Sequence, residues 1–353
     1  MNKKALIAMS GGVDSSVAAY IMKTSGYEIS GAIMRLCDDF GEDSSQSVND
    51  AGDVCARLDA PFYVFDYRED FKNLVVDDFI RVYEDGGTPN PCVVCNKKMK
   101  FGKFIDGAKE LGINTVATGH YARIEKSGDR FVLKRGTDLQ KDQSYFLYHL
   151  TQNQLSHTVF PLGSMSKDEI REIAGENGFV TAHKKDSQDI CFVPSGDYVS
   201  VIEKVTSKVF PEGDFINSFG EKIGNHRGHI YYTIGQRKGL GMGFGEKMYV
   251  LGKDVLKNEV ILGSNNDLFS DTLFANDFNW IISDTPPEKL RADVKIRYGA
   301  REAPATVYVT GESEVRIEFD TPQRAIAPGQ AVVLYDGDAV LGGGTIIKSG
   351  RQA

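Results

Sequence analysis

The residues AMSGGVDSS (8–16) place two glycines, an aspartate and three serines directly after a short apolar run. A strand that ends in Gly-Gly and continues into a helix leaves backbone N–H groups free, and the helix dipole adds about half a positive charge there. Gly11 and Gly12 allow close approach of a ligand to the backbone, while Ser10 and Ser15 add hydroxyl donors. The pattern predicts a phosphate site; an ordinary capped helix start is the alternative.

Asp14 is the unusual residue of this stretch, because a carboxylate by itself repels phosphate. Its position predicts a magnesium ion or an ammonium group nearby. The stretch also lacks the Lys-Ser/Thr pair of the P-loop and the third glycine of the dinucleotide-binding fingerprint. Neither of those two phosphate-binding motifs therefore explains it.

Three of the five cysteines lie in stretches that could do chemistry. Cys92 and Cys95 lie in TPNPCVVCNKKMKFG, and Cys191 lies in KKDSQDICFVPSG. One CxxC supplies only two of the four ligands of a structural zinc site, and a thioredoxin-like CxxC belongs to a different βαβ context. Buried structural thiols remain an interpretation, as does sulfur chemistry in which one thiol carries a persulfide and another resolves it. Cys37 and Cys55 are expected to be packing residues.

The charge of the chain is unevenly distributed. The net charge is −8, yet residues 36–85 hold 14 acidic and 4 basic residues, whereas residues 97–135 hold 10 basic and 4 acidic ones. A local basic surface can bind phosphates although the total is acidic, and a solvated charged face fits the same numbers. A basic neighbourhood would also favour thiolate formation, and four lysines are near the cysteines in sequence: Lys97, Lys98, Lys184 and Lys185.

The elements that must position these residues follow from the apolar pattern. Short apolar runs alternate with amphipathic stretches up to about residue 119, which predicts an α/β fold with helices on the faces of a parallel sheet. A hairpin is predicted at 121–136, and Ser166 and Glu169 have the spacing of a capping box. From about residue 275, alternating segments predict a small antiparallel barrel or sandwich. The predicted strands are 5–9, 28–35, 62–67 and 114–119, and the predicted helices are 13–24, 46–59, 69–84 and 101–111.

Six stretches carry a family resemblance and occur in the order SGGVDSS, TPNPCVVCNKKMKFG, ATGHYARI, KDQSYFLYHL, DSQDICF and YTIGQRKGLG. The first resembles the PP-loop of the ATP pyrophosphatase superfamily, whose members cleave ATP between the α and β phosphates. Together they closely resemble the tRNA-specific 2-thiouridylase family over nearly the whole chain. The resemblance implies a doubly wound parallel-sheet PP-loop domain (1–204), a small central domain (205–272) and a C-terminal antiparallel β-barrel (273–353).

The resemblance also implies an activity, that of a tRNA-uridine 2-sulfurtransferase acting on the wobble uridine. A uracil oxygen would attack the α-phosphate of ATP, with the PP-loop and magnesium stabilising the pyrophosphate, so that AMP can later depart. By the same resemblance Cys191 accepts a persulfide from a sulfur donor, either a cysteine desulfurase or a relay protein. Cys95 is then the second catalytic cysteine, which attacks the persulfide or forms a disulfide with Cys191.

Further roles carry over by matching position. The target base would be bordered by Asn90, Pro91 and Cys92. The residues implied to contact tRNA are Lys141, Asp142, Gln143, Arg297 and Tyr298. Those implied to contact ATP are Ala8, Met9, Ser10, Gly11, Gly12, Val13, Asp14, Ser15, Met34 and Gly119.

Cys92 departs from a common form of the family, in which an aspartate follows Asn-Pro. An acidic group at this position is then not required for acid–base work. The change puts three thiols in or near one site, and three cysteines could bind an iron–sulfur cluster with an open position. The candidate ligands are Cys92, Cys95 and Cys191.

Two other functions use the same features differently. A PP-loop amidating synthetase would keep ATP but use ammonia, which leaves the cysteines without a role. A sulfur carrier or RNA-binding adaptor would have no turnover. No apolar run approaches the roughly 20 residues of a membrane span, and the start has too few apolar residues for a signal peptide. We therefore expect a cytosolic protein with reduced thiols.

Overall fold

The computed structural model of the chain describes residues 3–37, 45–182, 184, 190–193, 196–243 and 245–350. The chain forms two compact units. The first unit comprises Met1–Val76, Cys92–Gly196 and Asp338–Leu341, and the second comprises Asp77–Pro91, Asp197–Gly337 and Gly342–Ala353. The division into three domains stays a prediction.

The first unit is built on a parallel sheet, as predicted. Its strands follow the order β3-β2-β1-β4-β7, with β1 at the centre. Ala5, Leu6 and Ile7 of β1 are fully buried, which is typical of a strand covered by helices on both faces. The strands are β1 (Lys3–Met9), β2 (Tyr27–Arg35), β3 (Phe62–Asp66), β4 (Thr115–Thr118) and β7 (Thr158–Val159), and the predicted hairpin is β5 (Ala122–Ser127) with β6 (Arg130–Arg135).

Nine α-helices occur in the described part of the chain, and they confirm most of the predicted positions. The predicted helix 69–84 is interrupted by a π-helical segment at Lys72–Val76, and a second such segment at Asn96–Lys103 precedes α6. The helices are α1 (Val13–Thr24), α2 (Ser45–Arg57), α3 (Arg68–Phe71), α4 (Asp77–Glu84), α5 (Pro91–Cys95), α6 (Phe104–Glu110), α7 (Gln152–Ser156), α8 (Lys167–Glu176) and α9 (Tyr198–Thr206). No helix among the residues described could span a membrane.

The second unit contains two further sheets. The first follows the order β10-β11-β8-β9 and packs around Phe215, Tyr232 and Val250. In the other sheet the strands β12, β15, β14, β13, β16 and β17 follow one another, and β12 also pairs with β17, so that these six strands close into an antiparallel barrel. Their strands are β8 (Gly213–Ile216), β9 (Lys222–His226), β10 (Tyr249–Asp254), β11 (Glu259–Gly263), β12 (Phe269–Trp280), β13 (Lys289–Lys295), β14 (Ala303–Val309), β15 (Val315–Arg324), β16 (Ala331–Asp336) and β17 (Ala339–Ser349).

Candidate active site

The turn between β1 and α1 (Ser10–Val13, called the glycine turn below) has a backbone that only glycine adopts easily. Gly11 has a φ of +66°, and a Cβ there would lie 2.5 Å from the backbone oxygen of Ser47. Gly12 is the N-cap of α1, and no side chain caps the helix. The capped helix start, the alternative interpretation, is therefore wrong. The uncapped N-terminus of a 12-residue helix suits an anion.

The serines of this stretch divide into one exposed and two buried residues. Ser15 and Ser16 both donate from Oγ to the carbonyl oxygen of Gly12, at 3.1 and 2.9 Å. The Oγ of Ser15 also accepts from the backbone N–H of Ser10 at 3.1 Å. The buried serines thus brace the glycine turn from inside, and Ser10 is left exposed at its surface.

The charge of Asp14 is balanced by an ammonium group, one of the two partners that the sequence predicts. Lys167 Nζ lies 2.8 and 2.9 Å from the two carboxylate oxygens of Asp14, and the Tyr121 hydroxyl donates to Oδ1 at 2.7 Å. Lys167 is buried and is the first residue of α8, directly after the capping box that Ser166 forms with Glu169. The sequence places the start of this helix but does not indicate that its first side chain reaches the glycine turn.

The ends of β1, β2 and β4 bring several predicted ATP contacts to one edge of the sheet. A Cβ on Gly119 would lie 2.9 Å from the carbonyl carbon of Asp14 and 3.0 Å from the backbone nitrogen of Ser15, so β4 ends directly against the start of α1. Met34 is half-buried near the end of β2. Ligands of open parallel sheets bind at this carboxyl edge. The structure thus gathers these residues, and their contacts with ATP stay predictions.

Lys184 holds the glycine turn from another direction. Its Nζ donates to the carbonyl oxygen of Gly11 at 2.9 Å and forms an ion pair with the buried carboxylate of Asp50. The sequence suggests Lys184 as a neighbour of the cysteines, yet in the structure it contacts the glycine turn and Asp50. Lys185 lies outside the described residues.

Four of the five cysteines interact with one another and form the thiol cluster (Cys37, Cys92, Cys95 and Cys191). The charge of Cys191 interacts with those of Cys92 and Cys95, and Cys37 donates from Sγ to the carbonyl oxygen of Cys191 at 3.9 Å. Cys37 is therefore not the packing residue that we expect from the sequence, because the chain beyond β2 carries it to Cys191. Cys55, in contrast, is buried, as predicted, and burial raises its pKa to about 11.

The thiols of this cluster are poorly ionised at neutral pH. Protein atoms around the sulfur displace water and raise the pKa of Cys92, although the residue as a whole is exposed. The same cause raises the pKa of Cys95 to about 12. The hydrogen bond with Cys37, followed by burial, raises the pKa of Cys191. The Lys100 ammonium acts in the opposite direction on the pKa of all three thiols but does not outweigh these causes. Among the described residues, Lys100 is the cation that acts on the pKa of all three thiols.

The charge of Lys100 acts on His120 as well as on the thiols. His120 directly follows Gly119 at the end of β4, is buried, and lies 2.7 Å from the Thr118 hydroxyl through Nδ1. Burial, then Lys100 and His149, lower the pKa of His120 well below the ordinary value. The imidazole next to Gly119 is therefore neutral at physiological pH.

No group of three or more histidine, cysteine or acidic residues that could hold a metal ion occurs among the residues for which the structure gives positions. The thiols of the cluster, as placed, do not fit an iron–sulfur cluster. We therefore derive no step through such a group.

The residues implied to contact tRNA fall into two sets. Asp142 is buried and accepts hydrogen bonds from Gly136 and Ser144, while Gln143 Oε1 accepts from the backbone N–H of Tyr121 at 3.0 Å. They shape the loop behind Tyr121, and Lys141 is half-buried beside them. In the second set Arg297 and Tyr298 are exposed in the second unit. Asn90 is half-buried, Pro91 opens α5, and Cys92 is exposed.

Comparison with known proteins gives full-length relatives. The tRNA-specific 2-thiouridylase MnmA of Clostridioides difficile (strain 630) is 49% identical over 358 residues, which covers 99% of this chain and 99% of the relative. That of Clostridium botulinum (strain Alaska E43 / Type E3) is 45% identical and covers 98% of each chain. The chain belongs to the tRNA-specific 2-thiouridylase family.

Family models divide this 2-thiouridylase family member into three matched ranges. A "tRNA methyl transferase HUP domain" matches residues 3–195, a "tRNA methyl transferase PRC-barrel domain" matches 200–264, and an "Aminomethyltransferase beta-barrel domain" matches 270–346. Among solved structures, a 4-thiouridine synthetase–RNA complex with bound ATP is similar with a TM-score of 0.38 and 18% identity, covering 57% of this chain and 50% of that one. Membership of this family implies that the first unit, which carries the glycine turn, binds ATP.

Proposed function

We propose that this protein uses ATP to replace an oxygen of the wobble uridine in tRNA with sulfur, giving 2-thiouridine. The observation that supports the proposal most is that the neighbouring strands β1 and β2 end at the same edge of the sheet. The glycine turn follows β1, and Cys37, which donates to the Cys191 carbonyl oxygen, follows β2. An ATP-cleaving loop and sulfur-carrying thiols at one sheet edge suit a reaction that needs both. An amidating synthetase gives the thiols no role, and a sulfur carrier or RNA-binding adaptor without turnover gives ATP cleavage no role.

The first step activates the uracil oxygen. That oxygen attacks the α-phosphorus of ATP, the bond to the bridging oxygen breaks, and pyrophosphate leaves. The uncapped start of α1 would stabilise the developing charge with its N–H groups, and the Ser10 hydroxyl would add a donor. Magnesium bound together with ATP would offset the charge of the pyrophosphate. Lys167 keeps the Asp14 carboxylate from opposing the phosphates.

The second step delivers sulfur. The terminal sulfur of a Cys191 persulfide attacks the activated carbon, and AMP departs with the former uracil oxygen. The Cys95 thiolate then attacks the Cys191 sulfur, which breaks the sulfur–sulfur bond to the nucleoside, releases 2-thiouridine and leaves a Cys95–Cys191 disulfide. A thiol reductant must supply two electrons before the next turnover. The persulfide itself comes from a sulfur donor, a desulfurase or a relay protein.

The raised pKa values mean that the resting thiols are protonated, so Cys95 must lose its proton before it attacks. A resting site of protonated thiols is less reactive toward oxidants and alkylating agents than one of thiolates. Cys92, Asn90 and Pro91 would border the base, and the loop Lys141–Gln143 together with Arg297 and Tyr298 would hold the tRNA.

The test is an incubation of the protein with ATP, magnesium, a persulfide source and unmodified tRNA, followed by mass analysis of the nucleosides. We expect 2-thiouridine from the wild-type protein and none from Cys191→Ser, with tRNA-dependent release of pyrophosphate in both. Thiolation by Cys191→Ser at the wild-type rate would contradict the proposal, and an amidated nucleoside formed when ammonium is also supplied would favour the amidating synthetase.

A further inference from the structure

We propose that a basic groove in the second unit binds the phosphodiester backbone of tRNA, at a place that the family resemblance does not assign. The groove is formed by the loop Thr233–Lys238 together with Tyr249 and Arg324, has a volume of about 630 Å³, and is called the loop-233 groove. The inference rests on the proposed function, in which tRNA is the substrate. It adds a binding site to that function.

The charges that line the groove have one sign. Arg237 and Lys238 are exposed at its mouth, and Arg324 is half-buried in its wall. None of its lining residues is acidic. Three cations without an acidic residue beside them in the lining make the groove locally positive, and a polyanion is the ligand that such a surface attracts.

An aromatic ring lies among these cations. The Arg324 guanidinium lies 5.3 Å from the centroid of the Tyr249 ring, and its Nε donates to the Asn265 side chain at 3.0 Å. Both contacts fix the orientation of Arg324. Single-stranded nucleic acid is typically bound by such combinations, in which cations hold the phosphates and an aromatic ring stacks on a base.

The loop that carries two of the cations is held in one conformation. Gln236 accepts the backbone N–H of Thr233 at 2.9 Å through Oε1 and donates to the Lys238 carbonyl oxygen at 3.0 Å through Nε2. The backbones of Gly235 and Gln236 each bond to Val250 of β10, at 2.8 and 3.0 Å. A loop ordered in advance loses little entropy when a ligand binds, which favours a binding role.

The position of the groove favours tRNA over other polyanions. Arg297, which the resemblance assigns to tRNA, donates from Nη1 to the carbonyl oxygen of Arg324 at 3.3 Å. A Cβ on Gly235 would lie 2.9 Å from the Cβ of Ala325, so the loop is packed against the end of β15 that Arg297 also contacts. The groove is therefore continuous with an expected tRNA contact, and one RNA strand could occupy both.

The experiment measures equilibrium binding of unmodified tRNA to Arg237→Gln, Lys238→Gln and the double variant over a range of salt concentrations. For each lost phosphate contact we expect a Kd that rises roughly 3- to 10-fold and a salt slope that falls by about 0.7 to 0.9. Lys222→Gln is the matched control, an exposed lysine of the same unit that pairs with Asp214 and does not line the groove. Its binding should equal that of the wild-type protein.

The possible results distinguish tRNA binding in the loop-233 groove from the thiolation reaction. Weaker binding and smaller salt slopes in the groove variants, with wild-type binding by Lys222→Gln, support the groove whichever product the enzyme forms from tRNA. Variants that bind tRNA as tightly as the wild-type protein, with the same slope, would overturn the inference although thiolation proceeds. Absence of tRNA binding by the wild-type protein would overturn it as well.

Discussion

The carboxylate of Asp14 is unexpected at a predicted phosphate site, and its salt bridge with Lys167 explains how its charge is compensated. Without this ammonium, the carboxylate would lie at the start of α1 with its charge uncompensated, although the Tyr121 hydroxyl would still donate to it. The salt bridge joins residues 153 positions apart and therefore also ties α8 to the glycine turn. The Asp14–Lys167 pair therefore compensates the charge of the carboxylate and also fixes the position of the glycine turn relative to α8.

Lys167→Met tests this pair. We expect the free energy of unfolding to fall by about 1–3 kcal/mol, below the usual cost of breaking a fully buried pair because the Asp14 side chain is 33% exposed. ATP affinity should fall at least tenfold, since the uncompensated carboxylate opposes the phosphates. Urea unfolding and ATP titration measure the two effects. An unchanged ATP affinity in the folded variant would contradict the role given to Lys167.

Two substitutions near the thiol cluster should shift the pKa of Cys191 in opposite directions. Cys37→Ala should lower the pKa of Cys191, because the hydrogen bond with Cys37 is the largest cause that raises it. Lys100→Met should raise the pKa of Cys191, because it removes a favourable positive charge. Alkylation of Cys191 at pH 8, followed by peptide mass analysis, should therefore be faster in the first variant and slower in the second. Equal rates in both variants would show that the cluster does not couple these groups.

The sequence predicted the reactive residues better than their partners. The glycine turn, Asp14 and three of the four clustered thiols were found from local patterns, because glycine, aspartate and cysteine have few uses at such positions. Lys167, Tyr121 and Cys37 were not found. Their roles depend on contacts between distant segments, for which a single sequence carries no signal.

At the level of elements, the close approach of β4 to α1 depends on Gly119. Gly119→Ala places a methyl group about 3 Å from the backbone of Asp14 and Ser15, which cannot yield as a flexible side chain would. We expect a loss of about 1–3 kcal/mol in stability and a clear loss of ATP affinity. Circular dichroism during urea unfolding and ATP titration provide the measurements.

Gly175→Ala is the matched control for this substitution. Gly175 lies inside α8, and a Cβ there meets nothing within 4 Å. The change should raise the stability by up to about 1 kcal/mol through helix propensity and leave ATP binding as it is. If Gly119→Ala behaved like this control, the tight packing at the end of β4 would have no part in the site.

Elements with a clear periodicity of apolar residues were predicted well, and segments with an irregular backbone were not. The strands β1 to β4 and the helices α1 and α2 agree with their predicted positions to within one or two residues. The π-helical segments were missed because one extra residue in a helical turn cannot be recognised from the spacing of apolar residues in the sequence. The second of them carries Lys100, so the irregular backbone is part of the site.

For the whole molecule, buried histidines predict how stability depends on pH. Burial, with Lys97 as a second cause, lowers the pKa of His149 to about 3, and His120 is shifted in the same direction. The unfolded chain therefore binds protons below about pH 6.5 that the folded chain does not bind. The free energy of unfolding should fall as the pH drops from 6.5, by up to about 1.4 kcal/mol per pH unit for each histidine.

His149→Phe isolates one of these contributions while keeping an aromatic ring beside Phe101. The loss of stability between pH 7.5 and pH 5.5 should be smaller in the variant by about 1 kcal/mol. Urea unfolding at the two pH values provides the comparison. An equal loss in variant and wild-type protein would mean that His149 takes up its proton in the folded state.

The grouping of the chain into units was beyond what its sequence could predict. Asp77–Pro91 belongs to the second unit although it lies between parts of the first. The amphipathic pattern of α4 shows that one face is buried, but it does not show which segment covers that face. The closed barrel, in contrast, was one of the two predicted forms, and the pairing of β12 with β17 decides for it.

The central claim is that the uracil oxygen is transferred to AMP before sulfur replaces it. A tRNA that carries ¹⁸O at the C2 carbonyl of the target uridine tests this directly, with mass analysis of the AMP released in a single turnover. The account predicts one ¹⁸O in each AMP for every 2-thiouridine formed, and none in pyrophosphate. Formation of 2-thiouridine with unlabelled AMP would contradict it.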